Sequence, residues 1–318
     1  MNKPLLLTSA AALLALAALA PGRAQAMPGD LYVTNGGNNT IERFTPGGAA
    51  SVFVDAVLDE PAGLAFGESG NLYAAIRNGF GGPDYIARIM PGGAASVFTI
   101  TGINTYPTGL AFDASGNLYV ANSNTGNITQ FSPGGVSSVF ANGLRQPYGL
   151  AFDASGNLYA AIGNNTIEQF TPGGASSVLA MTGRTSPTGL AFDASGNLYA
   201  AIKNNNIIER FTPGGAPSVF ANTMLNFPTG LAFDASGNLY AANSGNNTIE
   251  RFTPSGAPSL FANTGLNRPT FLAFEPALAG TPTPTGVPEP ASMAVLAMGM
   301  AGLGLFRRKG AQPAASRA

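Results

Sequence analysis

The sequence predicts an all-β fold, a six-bladed β-propeller of four-stranded antiparallel blades, closed by its C-terminal strand as the innermost strand of the first blade. Three observations predict it. Four short apolar phrases recur with a period of about 41 residues. Turn-forming residues separate each phrase from the next. The two ends of the array each lack what the other carries.

The first phrase, "GLAF", starts at Gly63, Gly109, Gly149, Gly189 and Gly230 and returns as "FLAF" at Phe271. Its Leu and Phe alternate with Ala, so the two large side chains share one face of a strand. The second phrase, "NLY", starts at Asn71, Asn117, Asn157, Asn197 and Asn238, with "DLY" at Asp30. The third, "TIERF" or a variant, starts at Thr40, Asn127, Thr166, Ile207 and Thr248, with "YIARI" at Tyr85. The fourth, "SVF" or a variant, starts at Ser51, Ser96, Ser138, Ser177, Ser218 and Ser259. "DASGN" links phrases one and two with an Asx-type turn, "TPGG" makes a tight reversal, and asparagine-rich clusters join phrases two and three. Sustained 3.6-residue periodicity is absent from the middle of the chain.

Four strands cannot bury both faces of their own sheet, so identical sheets must stack around an axis. The array begins at "PGDLYV", which has phrases two to four without phrase one, and ends on "FLAFEP", which is phrase one alone. Together they complete one blade, which gives six and predicts that Leu272 and Phe274 lie beside Leu31 and Tyr32.

The flanks read as addresses. Residues 1–26 form a signal peptide: Lys3, an apolar run and the small-x-small site Ala24-Gln25-Ala26. The propeller occupies 27–276, a Pro/Thr linker 277–287, a sorting and membrane-spanning segment 288–309, and a cytoplasmic tail 310–318. The apolar run Ala291 to Phe306 is closed by Arg307-Arg308-Lys309, which places that end in the cytoplasm. Apolarity alone fits a plain C-terminal anchor equally well.

Composition excludes several chemistries. Among 318 residues there is no His, Cys or Trp. No disulfide and no thiolate or imidazole metal site can form, and histidine-assisted nucleophilic catalysis is ruled out. The middle holds 9 basic and 15 acidic residues without a basic stripe, which argues against nucleic acid.

Two resemblances sharpen this reading. Pro187, Gly189 to Asp193, Gly196 to Ala200 and Ile208 to Phe211 resemble the NHL-type repeat, a likeness that runs through all six units. It implies the propeller fold, while its relatives include protein binders, RNA binders, lactone hydrolases and lyases. Pro288, Glu289 and Pro290, the apolar run and the basic cluster resemble the PEP-CTERM sorting signal of exopolysaccharide-producing Gram-negative bacteria. The tail "GAQPAASRA" departs from the usual short basic end. The resemblance implies recognition by an exosortase-type membrane protease, at least transient membrane anchoring through the C-terminal helix, and delivery to the cell surface or extracellular matrix. Exopolysaccharide or envelope proteins are the partners it suggests.

Candidate sites carry competing readings. Asp113, Ser115 and Asn117, repeated in later blades, fit a hydrogen-bonded turn or a partial calcium loop. Glu42, Glu168, Glu209 and Glu250 fit acid–base chemistry or, given their repetition, ion pairs between neighbouring blades. Thr108, Tyr148, Thr188, Thr229 and Thr270, with Ala62, follow the proline that opens phrase one. They form either a ring of ligand-binding hydroxyls or ordinary strand-opening residues. The clearest break in the repeat is "RNGFGGPDY" in blade two, with Arg77, Phe80, Asp84 and Tyr85: a recognition patch or a tolerated insertion. Asp55, Asp59, Glu60, Arg145, Arg184, Lys203 and Arg268 are singular on the same face. The expected function is a binding or structural module without catalytic residues, metal or cofactor. The alternative is a propeller enzyme of the lactonase-like or streptogramin-lyase-like type, for which a His-free chain offers few groups.

Overall fold

The computed structural model describes residues 29–55, 58–79, 81–183 and 185–276. The predicted signal peptide, linker, sorting segment with Pro288, Glu289 and Pro290, C-terminal helix and tail lie outside these residues, as do Phe80 and Arg184. Among the described residues, no helix is long and apolar enough to cross a membrane.

The strands form six four-stranded antiparallel sheets. Blade one joins β24 (Pro269–Phe274) to β1 (Leu31–Asn35), β2 (Thr40–Phe44) and β3 (Ala50–Val54). Blade two is β4 (Pro61–Phe66), β5 (Leu72–Ile76), β6 (Pro83–Ile89) and β7 (Ala95–Ile103). Blade three is β8 (Pro107–Phe112), β9 (Leu118–Asn122), β10 (Asn127–Phe131) and β11 (Ser137–Ala141). Blade four is β12 (Pro147–Phe152), β13 (Leu158–Ile162), β14 (Thr166–Phe170) and β15 (Ser176–Met181). Blade five is β16 (Pro187–Phe192), β17 (Leu198–Ile202), β18 (Ile207–Phe211) and β19 (Pro217–Ala221), with a 3-10 turn at Lys203–Asn205. Blade six is β20 (Pro228–Phe233), β21 (Leu239–Asn243), β22 (Thr248–Phe252) and β23 (Pro258–Ala262).

The closure forms as predicted, with Leu272 and Phe274 beside Leu31 and Tyr32; in its register Leu31 faces Phe274, Tyr32 faces Ala273 and Val33 faces Leu272. Glu275 extends it, its N–H donating to the Asp30 carbonyl at 2.9 Å while its own carbonyl accepts from Gly29. The innermost strands touch in sequence around the axis, and β24 touches β4, so the ring is shut. The glycine of "GLAF" is demanded by this contact. A Cβ on Gly109 or Gly149 would lie 2.2 Å from the carbonyl oxygen of Tyr148 or Thr188 on the next blade. Phe271 occupies this position in β24.

Blades adhere through repeated aromatic contacts. Tyr119 stacks edge-on against Phe140 of its own blade and Phe152 of the next, both at 5.0 Å. The same trio recurs at Tyr199 with Phe220 and Phe233, and at Tyr240 with Phe261 and Phe274. Edge-to-face pairs of this kind add about 0.5–1.5 kcal/mol beyond area burial. Blade four breaks the pattern. Leu179 stands where the others carry Phe, Tyr159 keeps Phe192 at 5.0 Å, and a cleft of about 320 Å³ opens beside them.

The "DASGN" segments are hydrogen-bonded turns. In blade five, Asp193 Oδ1 accepts from the N–H groups of Ser195 and Asn197, and Oδ2 accepts from Asn197 Nδ2 and the Tyr199 hydroxyl. Asp113, Asp153 and Asp234 repeat these bonds. Burial opposes ionisation of Asp153, but the bonds from Asn157, Ser155 and Tyr159 outweigh it and hold its carboxyl below the ordinary value.

One expectation needs correction. The expected ion pairs between blades are not formed by the strand-three glutamates among the described residues. The pair that forms is Arg43 with Asp30, at 3.6 Å inside blade one. Glu42 and Glu250 are instead buried without a basic partner within ion-pair distance among the described residues. In the blade-two insert β6 and β7 lengthen together, pairing Pro83 with Ile103 and Asp84 with Gly102.

Candidate functional site at the axial mouth

Each innermost strand starts with a proline, and the residue before it lies at the opening of the axis on that face. These residues are Glu60, Tyr106, Gln146, Ser186, Phe227 and Arg268. Five hold positive φ: Glu60 at 43°, Tyr106 at 55°, Gln146 at 51°, Phe227 at 49° and Arg268 at 50°. Left-handed backbone at a residue with a side chain costs of order 1–3 kcal/mol and persists only when its surroundings over-determine it.

The surroundings do so through a repeated lock. The turn between strands two and three of one blade presents a side-chain oxygen to the pre-proline N–H of the next. Asn39 Oδ1 accepts from Glu60 N–H at 3.0 Å, Asn206 from Phe227 at 2.7 Å and Asn247 from Arg268 at 2.7 Å. In blade two the insert supplies a substitute: Asp84 Oδ2 accepts from Tyr106 N–H at 2.8 Å and from the Thr105 hydroxyl, while Oδ1 accepts from Asn78 N–H. Asp84 is therefore buried and directed inward, where it fixes Tyr106.

The threonines that follow the prolines are also committed. The Thr108 hydroxyl is buried within reach of the Ala121 carbonyl of its own blade and those of Pro147 and Tyr148 on the next. Thr188 and Thr229 repeat the arrangement. Thr270 pairs with Thr34 at 2.8 Å, and Thr34 reaches the Ala62 carbonyl in blade two. These hydroxyls pin blade to blade. Blade four has Tyr148 there, half-buried against the apolar layer it shares with blade five. Tyr85 packs against the apolar layer between blades one and two, where burial and then Asp59 raise its hydroxyl pKa.

Arg77 does belong to the mouth. It follows β5 and reaches into blade three, where its Nε donates to the Pro107 carbonyl at 3.0 Å and its guanidinium lies 4.1 Å from the Tyr106 ring centre. Burial lowers its pKa, opposed by Tyr106, Glu60 and Tyr148 close by. Lys203 occupies the same repeat position three blades away, on the opposite side of a six-bladed ring. Its pKa is lowered by burial and then by repulsion from Arg268 and Arg77. Three cations from blades one, two and five thus converge, with Glu60 as the carboxylate at the pre-proline ring. Tyr106 and Phe227 add partly exposed aromatic faces, at 38% and 44% of full exposure.

Sequence reasoning named Arg77, Tyr148, Glu60, Lys203 and Arg268 but passed over Tyr106, Phe227, Gln146 and Ser186. The available signal was one residue away, in the variable position just before each invariant proline. Among the described residues, no group of three or more His, Cys, Asp or Glu is placed to hold a metal ion.

Comparison with known proteins matches this architecture. The NHL repeat family matches residues 104–131 and 225–252, and the PEP-CTERM protein-sorting motif matches residues 286–309. No curated protein matches the chain. Among solved structures it is similar to one described as a nidogen/laminin complex, with TM-score 0.68 and 22% identity over 77% of this chain and 98% of that one. It is also similar to virginiamycin B lyase from Staphylococcus aureus, with TM-score 0.62 and 18% identity over 79% and 87%. A putative gluconolactonase gives TM-score 0.59 and 17% identity over 74% and 88%. At these identities the likeness is one of fold. The PEP-CTERM motif marks an exported, membrane-passing protein and implies exosortase processing in general.

Proposed function

We propose that the chain is a binding module displayed at the cell surface or in the extracellular matrix of a Gram-negative bacterium, and that it binds through the axial mouth. An exosortase-type protease recognises the segment around Pro288, Glu289 and Pro290 and passes the propeller outward. Exopolysaccharide or an envelope protein is the partner, and nucleic acid is not. One observation carries the reading. Blades three to six repeat their strands and turns nearly word for word, yet the pre-proline ring holds Glu60, Tyr106, Gln146, Ser186, Phe227 and Arg268, all different. A purely structural ring would repeat there as well.

The catalytic alternative draws support from the lyase and gluconolactonase likeness, which is one of fold alone. Glu60 is the single carboxylate of the pre-proline ring, and catalysis needs unlike groups converging on one reacting centre. The test is retention of the purified propeller on isolated surface layers, alongside mass spectrometry of the mature protein from its native envelope. Retention that is lost with Arg268→Ala and Phe227→Ala, but kept with Ser195→Ala on the opposite face, is expected, with a C-terminus near Pro288. Retention indifferent to mouth substitutions would overturn the siting, and an intact Ala318 would overturn the sorting.

A further inference from the structure

We propose that the axial mouth recognises a carboxylated sugar unit of an acidic polysaccharide, a claim that rests on the binding-module reading and specifies its ligand. The charge pattern is local and unusual for this chain. At the position after strand two, four blades carry Gly36, Ser123, Gly163 or Ser244, while blades two and five place Arg77 and Lys203 on opposing sides of the opening. Arg268 adds a third cation from blade one, in a region of the chain with 15 acidic and 9 basic residues. Lys203 and Arg268 form no ion pair with a carboxylate among the described residues. Burial first, and then repulsion from Arg268 and Arg77, depresses the Lys203 ammonium, and an anion placed between the cations relieves the repulsive part.

The neighbouring groups select the class of anion. Tyr106 is clamped by Arg77 on its ring and by Asp84 on its backbone, so it is a fixed aromatic surface and loses little freedom on binding. Phe227 offers a second exposed ring, suited to the apolar C–H face of a pyranose. Gln146 supplies a side-chain amide at the same ring of positions, while the Ser186 hydroxyl is held by the Gly163 carbonyl and Asn165 Oδ1. An acidic peptide is a poorer fit. The pre-proline N–H groups of Glu60, Tyr106, Phe227 and Arg268 are already capped, which leaves few main-chain donors for an extended peptide to pair with.

The test is titration of the full propeller with oligogalacturonate, a neutral maltooligosaccharide and polyglutamate, at low and at physiological salt. Oligogalacturonate is expected to bind at least about tenfold tighter than either control and to weaken with salt. Lys203→Gln and Arg268→Gln are each expected to weaken it by about tenfold with unchanged melting temperature. Equal binding of polyglutamate or of the neutral oligomer, indifference to both substitutions, or no binding by any probe would each overturn the proposal. Where surface-layer retention persists while every uronate probe fails, the ligand class falls and the binding module stands.

Discussion

Replacing Leu179 by Phe restores the inter-blade stack that blade four lacks. In blades three, five and six the strand-four ring contacts the strand-two Tyr at 4.9–5.0 Å. Blade four leaves a cleft of about 320 Å³ lined by Leu179, Tyr159 and Phe192, so the larger side chain enters existing space and the usual overpacking cost is avoided. The edge-to-face pair contributes about 0.5–1.5 kcal/mol. Burying the roughly 40 Å² of additional apolar surface contributes about 1 kcal/mol more. A gain of about 2 kcal/mol raises the melting temperature of a domain this size by about 4–8 °C. Differential scanning calorimetry and urea midpoints measure it directly. The mirror substitution, Phe140→Leu in blade three, should lower both by a similar amount. An unchanged or lowered melting temperature for Leu179→Phe would show that the cleft is maintained by backbone placement and not by the missing ring.

Two further predictions concern charge and turns. Burial raises the pKa of Glu42, Glu168, Glu209 and Glu250 above the ordinary 4.5, so their contribution to stability is complete below that value and is lost as pH rises through the folded-state pKa. The melting temperature should therefore be higher near pH 5 than at pH 8, and Glu250→Gln should flatten the difference; a rise toward pH 8 would contradict the assignment. Asp193→Ala removes an acceptor of four hydrogen bonds, two of them from backbone N–H groups, and should cost about 2 kcal/mol by chemical denaturation; a loss under about 0.5 kcal/mol would mean that the Gly196 turn holds without it.

Strands, turns and closure were legible because each is written locally and then repeated. The alternation in "GLAF", the Asp and Gly of "DASGN" and the orphaned "FLAFEP" need no long-range knowledge to interpret. The mouth was only partly legible, for the opposite reason. Repetition draws attention to identical residues, whereas Tyr106 and Phe227 matter because they differ from their counterparts. Asp84, one member of the segment read as a recognition patch or a tolerated insertion, does in blade two what Asn39, Asn206 and Asn247 do elsewhere. That equivalence spans two blades and about 21 residues of chain, so spacing within one repeat does not reveal it. The two readings of the threonines that follow the prolines separate only across blades, for the same reason: their hydroxyls face carbonyls of a sheet some 40 residues distant.

The shared sheet of blade one makes the two extremities of the propeller mechanically interdependent. A pull on the C-terminal segment is borne first by the bonds of Glu275 to Gly29 and Asp30 and then by the β24–β1 ladder beside the hub. Proteolysis beside Pro288 spares this latch, while trimming back past Pro269 would strip blade one of its inner strand and spring the torus open.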